Sequence, residues 1–378
     1  MSTPIIAHGL EGVIAGSTRL SRVNGLAGEL IIAGYPLEEI AANASFEETT
    51  FLLWNDRLPN AAQLADFQST LAGLRTLPDA TLELLRAVAA EKTPPMDALR
   101  MAAGTLSLGG VEGAENEAAA LVARFPTVVA AYWRLLNGAK PVAPDPALGH
   151  AANYLSMLNG ERPTAAQARG VETYLNTVID HSFNASTFTA RVIISTASDL
   201  VSAITGAVGA LKGPLHGGAP GPALDMVFEI GQVERAESYL RAKLERGERL
   251  MGFGHRVYKV RDPRADVLSA AAEVMYRAGG DLELYELARS VEQTAVALLA
   301  EYKPGRNLQT NVEFYTALLL HGLGLETALF TPTFAVGRVA GWTAHCLEQR
   351  AENRLIRPGS DYHGGLGRVW VDVAERSS

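Results

Sequence analysis

Between residues 190 and 211 the apolar side chains Ala190, Ile193, Ile194, Ala197, Val201, Ile204, Val208 and Leu211 recur at three- and four-residue steps, the period of one buried helix face. A chain that gives this much length to one apolar stripe must bury it against other helices, so the spacing predicts one long core helix. Gly213 and Pro214 end that helix. Directly after them, His216 stands between Leu215 and the pair Gly217-Gly218. Residues without a Cβ let the backbone there take unusual dihedrals and let a ligand come close. A lone histidine beyond a helix is more often structural than functional, but two further histidines sit in equally unusual contexts.

The second follows Met251-Gly-Phe-Gly254, where Gly252 and Gly254 bracket Phe253 ahead of His255, and Arg256, Lys259, Arg261 and Arg264 supply four cations within nine residues. A glycine-rich turn with a histidine and a basic flank suits an anionic ligand. No strand precedes this Gly-x-Gly and the third glycine of a dinucleotide fingerprint is missing. The third histidine lies in Asp180-His-Ser-Phe-Asn-Ala-Ser-Thr187, a run of capping residues at the predicted start of the long helix, an end that attracts anions.

With 48% hydrophobic and 20% charged residues among 378, the chain has capacity for two domains and a large core. A formal charge of −8 and a pI near 5.6 argue against a general nucleic-acid or anionic-membrane surface, so an anion must be held by a local basic pocket. Cys346 is the single cysteine, which excludes an intrachain disulfide, and neither a Cys-x-x-Cys pair nor a His-Glu-x-x-His helix offers a metal site. Those observations fit a reducing cytoplasm, as does an N-terminal Met1-Ser-Thr-Pro-Ile5 without the features of a signal peptide. The apolar stretch 192–211 carries Asp199 and several hydroxyl residues and reads as a core helix rather than a membrane span.

Arg19–Val23 and Glu29–Ile32, joined by Asn24-Gly-Leu-Ala-Gly28, read as the only strand pair. Everything after it reads as helix. Ser45 with Glu48, Asn60 with Gln63 and Thr164 with Gln167 each have capping-box spacing ahead of an apolar-periodic run. Alanine-rich runs near 87–90, 117–123 and 271–273 favour helix, and glycine and proline clusters at 94–95, 109–113, 141–146 and 213–222 punctuate them. The fold class expected is therefore all-α with a small N-terminal β-hairpin.

The ordered set of motifs resembles the citrate synthase family, and the short, compact bacterial and archaeal type within it. The resemblance runs nearly end to end: Leu10-Glu-Gly-Val-Ile14, Gly34-Tyr-Pro-Leu-Glu-Glu39, Phe46-Glu-Glu48, Leu52-Leu-Trp54, Asp180-His181, Asn184-Ala-Ser-Thr-Phe188, Gly213-Pro-Leu-His-Gly217, Gly252-Phe-Gly-His-Arg-Val-Tyr-Lys259, Asp262-Pro-Arg264, Arg338-Val-Ala-Gly-Trp-Thr-Ala-His345 with Glu348-Gln349, and Arg357-Pro358. It implies a two-domain helical fold, with 1–215 and 316–378 forming a large dimerising domain and 216–315 a small domain that binds coenzyme A. It implies an acyltransferase of the tricarboxylic acid cycle that condenses acetyl-CoA with oxaloacetate and hydrolyses citryl-CoA, without metal or cofactor. The alternatives are a 2-methylcitrate synthase using propionyl-CoA and a weakly catalytic homologue that binds CoA or dicarboxylates.

By the same resemblance Glu313 is the base, His216 the donor to the thioester oxygen and His255 the donor to the ketone. His181, His255, Arg264, Arg338 and Arg357 are the oxaloacetate ligands, with Arg357 donated across a homodimer interface. Leu215, Met251, Gly252, Phe253, Gly254, Arg256, Lys259 and Asn311 are the coenzyme A contacts. The chain departs from the family at three places. It has Asn311-Val-Glu313 where the family has Asn-Val-Asp, Gln309-Thr310 where Tyr-Pro is commoner, and Ser182 where a glutamate is common after the histidine.

Overall fold

The computed structural model describes residues 7–216, 221–255 and 257–376. The predicted hairpin is present as β1 (Ser21–Asn24) and β2 (Glu29–Ile32), antiparallel with Val23 opposite Leu30, and a short third strand that the sequence reading did not include, β3 (Tyr35–Pro36), extends the sheet beside β2. Its turn contacts the distant segment that follows His255: Lys259 N–H donates to the Gly25 carbonyl at 2.8 Å, and a Cβ on Gly25 would lie 2.3 Å from the Val257 carbonyl. All three predicted capping boxes are formed, at the starts of the helices Phe46–Asn55, Ala61–Gly73 and Ala165–Val178. In each, the side chain at the N-cap and the side chain three residues on satisfy one another's backbone N–H.

The single long helix is a misreading. Two helices occupy that stretch, Ala185–Ser195 and Leu200–Leu211, packed against each other. Ala197 takes a left-handed conformation with φ of 66° and is exposed, and Asp199 opens the second helix by accepting the Ser202 N–H at 2.6 Å. Periodicity survives the break because both pieces turn their apolar residues to the same core. The aspartate followed three residues later by a serine was the local stop-and-start signal.

The helix Phe330–Ala351 is central, packing on Ala114–Leu136, Ala165–Val178, Ala185–Ser195 and Leu200–Leu211. Ala114–Leu136 is long and apolar enough to cross a membrane by those criteria, but it is mostly buried in this core. The helices Gly221–Ile230, Ala236–Glu245, Pro263–Arg277, Leu282–Tyr302 and Val312–Gly322 pack among themselves, and Pro263–Arg277 also lies against Ala165–Val178 and Leu37–Asn43. One contiguous apolar cluster runs through both groups, from Leu20 through Leu268 to Cys346. Residues 352–376 leave this core as a largely non-helical, exposed tail.

At the centre of the fold, Gly341 lets the Phe330–Ala351 helix touch the turn that carries His181, since a Cβ there would lie 2.1 Å from the Ile179 carbonyl and 3.1 Å from the Asp180 carboxylate. A backbone atom cannot move aside as a flexible side chain can. Gly341→Ala should therefore destabilise the protein by about 3 kcal/mol, the upper part of the range for overpacking, read as a lower melting temperature. An unchanged melting temperature would mean that the turn and the helix are not held together as described.

Candidate active site

Three segments converge. The turn between Ala165–Val178 and Ala185–Ser195 carries His181, the loop ahead of Pro263–Arg277 carries His255 and leads into Arg264, and the Phe330–Ala351 helix presents Arg338. The His181 and His255 rings are 6.2 Å apart, and Arg264 Nη2 lies 3.3 Å from His255 Nε2. Tyr258 fills the angle between them, its hydroxyl 3.1 Å from His181 Nε2 and its ring 4.9 Å from that of His255. Four of the five predicted dicarboxylate ligands are thus together. Arg357 is not among them: it lies exposed in the C-terminal tail, six residues beyond the end of the helix Phe330–Ala351, and makes no ion pair or hydrogen bond among the described residues.

The Gly252-Phe-Gly254 turn is built as its composition suggests. Gly252 and Gly254 have φ of 86° and 82°, values that L side chains rarely adopt. Phe253 pairs in an antiparallel bridge with Thr310, Gly254 N–H donates to the Gln309 carbonyl at 2.7 Å, and Asn311 Nδ2 donates to the Gly254 carbonyl at 2.8 Å. The segments that lead into His255 and into Glu313 are therefore tied side by side as one small ladder around a single bridge. Asn311 caps the helix Val312–Gly322 by accepting the Glu313 N–H at 2.9 Å.

Hydrogen bonds set the tautomers of two histidines. His255 Nδ1 accepts from the backbone N–H groups of Val257 and Tyr258, both at 3.0 Å, so its ring proton resides on Nε2. That N–H and the Arg264 guanidinium are two donors at one point, a geometry that favours an oxygen ligand between them. His216 Nε2 accepts the backbone N–H of Ser186 at 3.3 Å, with the Ser186 hydroxyl 2.7 Å away, leaving the proton on Nδ1. Trp342 Nε1 donates to the same hydroxyl at 3.0 Å.

Burial and the arginines keep these rings neutral. His216 is pushed down to about 4 by burial and then by Arg338, and His255 to about 4 by burial and then by Arg264. His181 falls well below the ordinary value for the same reasons, with Arg264, Arg338 and His255 all opposing its charge. Arg338 is itself lowered to about 10, by burial foremost, and among the described residues no carboxylate is within ion-pair distance of it. Burial opposes the charge of Arg264 also, but Asp262, at 2.8 Å, holds it. Arg264 is paired with Asp262, whereas Arg338 feels the more distant Asp180 without an ion pair among the described residues, so its guanidinium is the one left for a carboxylate ligand.

The coenzyme A set is dispersed. Leu215 is fully exposed, Met251 and Lys259 are exposed, and Gly252, Phe253, Gly254 and Asn311 form the ladder just described. Arg256 and Gly217 lie outside the described residues. An open cavity of about 480 Å³ is lined by Arg22, Asn24, Leu26, Val257 and Lys259 beside the β1–β2 turn. Sequence reasoning missed the supporting groups Tyr258, Asp262, Ser186 and Trp342, although all four stood inside the motifs that carried the resemblance. It also read Asp180 as part of an anion-attracting helix end. Asp180 is instead fully buried and held below its ordinary value: burial would raise it, but His345 at 3.1 Å, Arg338 and the Ser21 hydroxyl prevail.

Comparison with known proteins agrees with this fold. The family model described as citrate synthase, C-terminal domain, matches residues 9–359. Citrate synthase 2 of Bacillus subtilis is 42% identical over 98% of this chain and 99% of its own length. A 2-methylcitrate synthase of Shewanella oneidensis is 38% identical over 97% of each. A solved citrate synthase from Thermoplasma acidophilum, in a ternary complex with carboxymethyl coenzyme A and oxaloacetate, superimposes with a TM-score of 0.89 at 30% identity, covering 99% of this chain and 100% of that one. The fold and the site together define an all-α acyltransferase. The chain belongs to the citrate synthase family, whose members condense acetyl-CoA with oxaloacetate.

Glu313 is the titrating group of the site. Burial pushes its carboxyl up to about 7, with Arg264 opposing and Asp262 adding to the rise. If Glu313 serves as a base it must be ionised, and kcat/KM should then fall about tenfold per pH unit below pH about 7. A profile flat down to pH 5 would rule out Glu313 as the titrating base.

Proposed function

We propose that this chain is a citrate synthase. The observation that carries the proposal is the arrangement of a half-buried carboxylate, Glu313, with two neutral histidines whose free N–H groups are fixed as donors, beside a doubly cationic pocket. Acetyl thioester protons are weakly acidic, so removing one needs a base together with a donor on the carbonyl oxygen. Glu313 takes the methyl proton while His216 Nδ1–H hydrogen-bonds to the thioester oxygen. The enolate carbon then attacks the ketone carbon of oxaloacetate, whose oxygen accepts from His255 Nε2–H. Water hydrolyses the citryl thioester, releasing citrate and coenzyme A. All these groups are side chains of the chain, so the reading assigns no metal or cofactor.

His181, Arg264 and Arg338 with His255 receive the oxaloacetate carboxylates. The ladder residues Gly252, Phe253, Gly254 and Asn311, with Leu215, Met251, Arg256 and Lys259, receive coenzyme A. A small body of 216–315 closing on 1–215 and 316–378 would bring the two ligand sets together, and a cytoplasmic place in the tricarboxylic acid cycle accompanies the reading.

Acyl preference is the open choice. The relatives include 2-methylcitrate synthases at similar identity, and one methylene in an acyl pocket changes selectivity by only ~1–3 kcal/mol. With oxaloacetate saturating, acetyl-CoA should be turned over with release of free coenzyme A and with higher kcat/KM than propionyl-CoA. The reverse order assigns the chain as a 2-methylcitrate synthase, and no turnover of either leaves a binding homologue.

A homodimer with shared sites fits the exposed Arg357 and the tail around it, where Leu355, Leu366, Val369 and Trp370 are 54–86% exposed, an apolar surface suited to cover by a second copy. Mixing Arg357→Ala subunits with His255→Ala subunits should restore one working site per heterodimer, about a quarter of parental activity at random pairing. Proven mixing without recovery would place Arg357 outside the site.

A further inference from the structure

The buried carboxylate of Glu292 belongs to none of the ligand sets above. It projects from the helix Leu282–Tyr302, its side chain is 8% exposed, and it grips three groups. Thr310 Oγ1 donates to its Oε1 at 2.7 Å and Arg261 Nη1 to the same oxygen at 2.6 Å, while the buried Tyr315 hydroxyl donates to Oε2. Thr310 lies three residues before Glu313 and Tyr315 two residues after it. Arg261 directly precedes Asp262, which pairs with Arg264 and also accepts the Val312 N–H at 3.2 Å. One carboxylate therefore holds the segment on both sides of Glu313 and ties it to the loop that presents His255 and Arg264.

We propose that Glu292, acting through Thr310 and Tyr315, is a positioning residue that sets the first turn of the helix Val312–Gly322 so that the longer carboxylate of Glu313 reaches the proton it removes. This rests on Glu313 being the base. An aspartate at 313 would be shorter by one methylene, about 1.5 Å of bond length, and a misplacement of ~1 Å can cost on the order of a hundredfold in rate. The backbone of that turn must therefore sit where the glutamate requires, and a hydroxyl–carboxylate bond to a buried group is a rigid means of placing it.

The test compares Thr310→Val, which keeps the shape and loses the hydroxyl, with Thr310→Ser, which keeps the hydroxyl. Thr310→Val should lower kcat by about tenfold, and slow exchange of acetyl methyl protons with solvent deuterium equally, while KM for oxaloacetate and the melting temperature stay near parental. Thr310→Ser should retain near-parental kcat. Equal losses in both variants would assign the effect to packing and overturn the proposal, as would parental kcat in Thr310→Val or a loss confined to KM for oxaloacetate. Glu313→Gln, assayed in parallel, separates the two readings. Exchange that persists in Glu313→Gln removes the base assignment, whereas a dead Glu313→Gln beside an unaffected Thr310→Val removes the clamp alone.

Discussion

The site depends on the carboxylate of Asp262, which is fully buried and accepts from the Arg264 backbone N–H, from its Nε and Nη2, and from the N–H of Val312. Taking an arginine and an aspartate out of water is costly unless their hydrogen bonds are made, and here the carboxylate is satisfied on both oxygens while the guanidinium keeps N–H groups free to meet a ligand. The same bonds start two helices: Asp262 is the N-cap of Pro263–Arg277 and meets the first turn of Val312–Gly322. Losing this carboxylate would strand a buried guanidinium, free the Glu313 helix and turn Arg264 away from His255. The placements of Arg264 and of Glu313 are for that reason a single structural problem in this protein.

A second buried chain of polar groups performs the same service for His181. Arg191 Nη1 donates to His345 Nδ1 at 3.0 Å, which leaves His345 Nε2–H to donate to Asp180, and Ser21 on β1 donates to Asp180 while accepting the Ser182 N–H at 2.7 Å. Arg338 Nε donates to the Val178 carbonyl, so a cation of the pocket also holds the turn. Ser182 takes φ of 53°, a conformation that is held here by the bond to Ser21. The small sheet thus has a positional role, because its first strand locks the turn that aims His181.

Much of this was legible in the sequence because local chemistry and tertiary structure agree. The three capping boxes and the glycine turn at 252 and 254 are each determined within four residues, and each formed. The break at 196–199 was not legible from periodicity, since two helices packed on one core repeat the same apolar spacing as one long helix. Glu292, Asp180 and His345 were unreadable as partners for a different reason. Their bonds span 18 to 165 residues, and a buried carboxylate in a helical run has the same local pattern as an exposed one. Arg357 could be read only through the resemblance, because no hydrogen bond or ion pair among the described residues engages it.

The two arginines of the pocket do more than provide sites for carboxylates. Their fields, added to burial, keep His181, His216 and His255 neutral, and a neutral imidazole with one nitrogen occupied by a backbone N–H is a donor of fixed direction. A charged histidine could hydrogen-bond at both nitrogens and would surrender the tautomer that the backbone selects. Arg264 also acts on Glu313, favouring the ionised carboxylate against the burial that raises its pKa. The two guanidiniums therefore help to keep the histidines as neutral donors, and Arg264 holds the Glu313 carboxyl below where burial alone would place it. In this geometry one guanidinium, that of Arg264, acts at once on the Glu313 carboxyl and on the His181 and His255 rings.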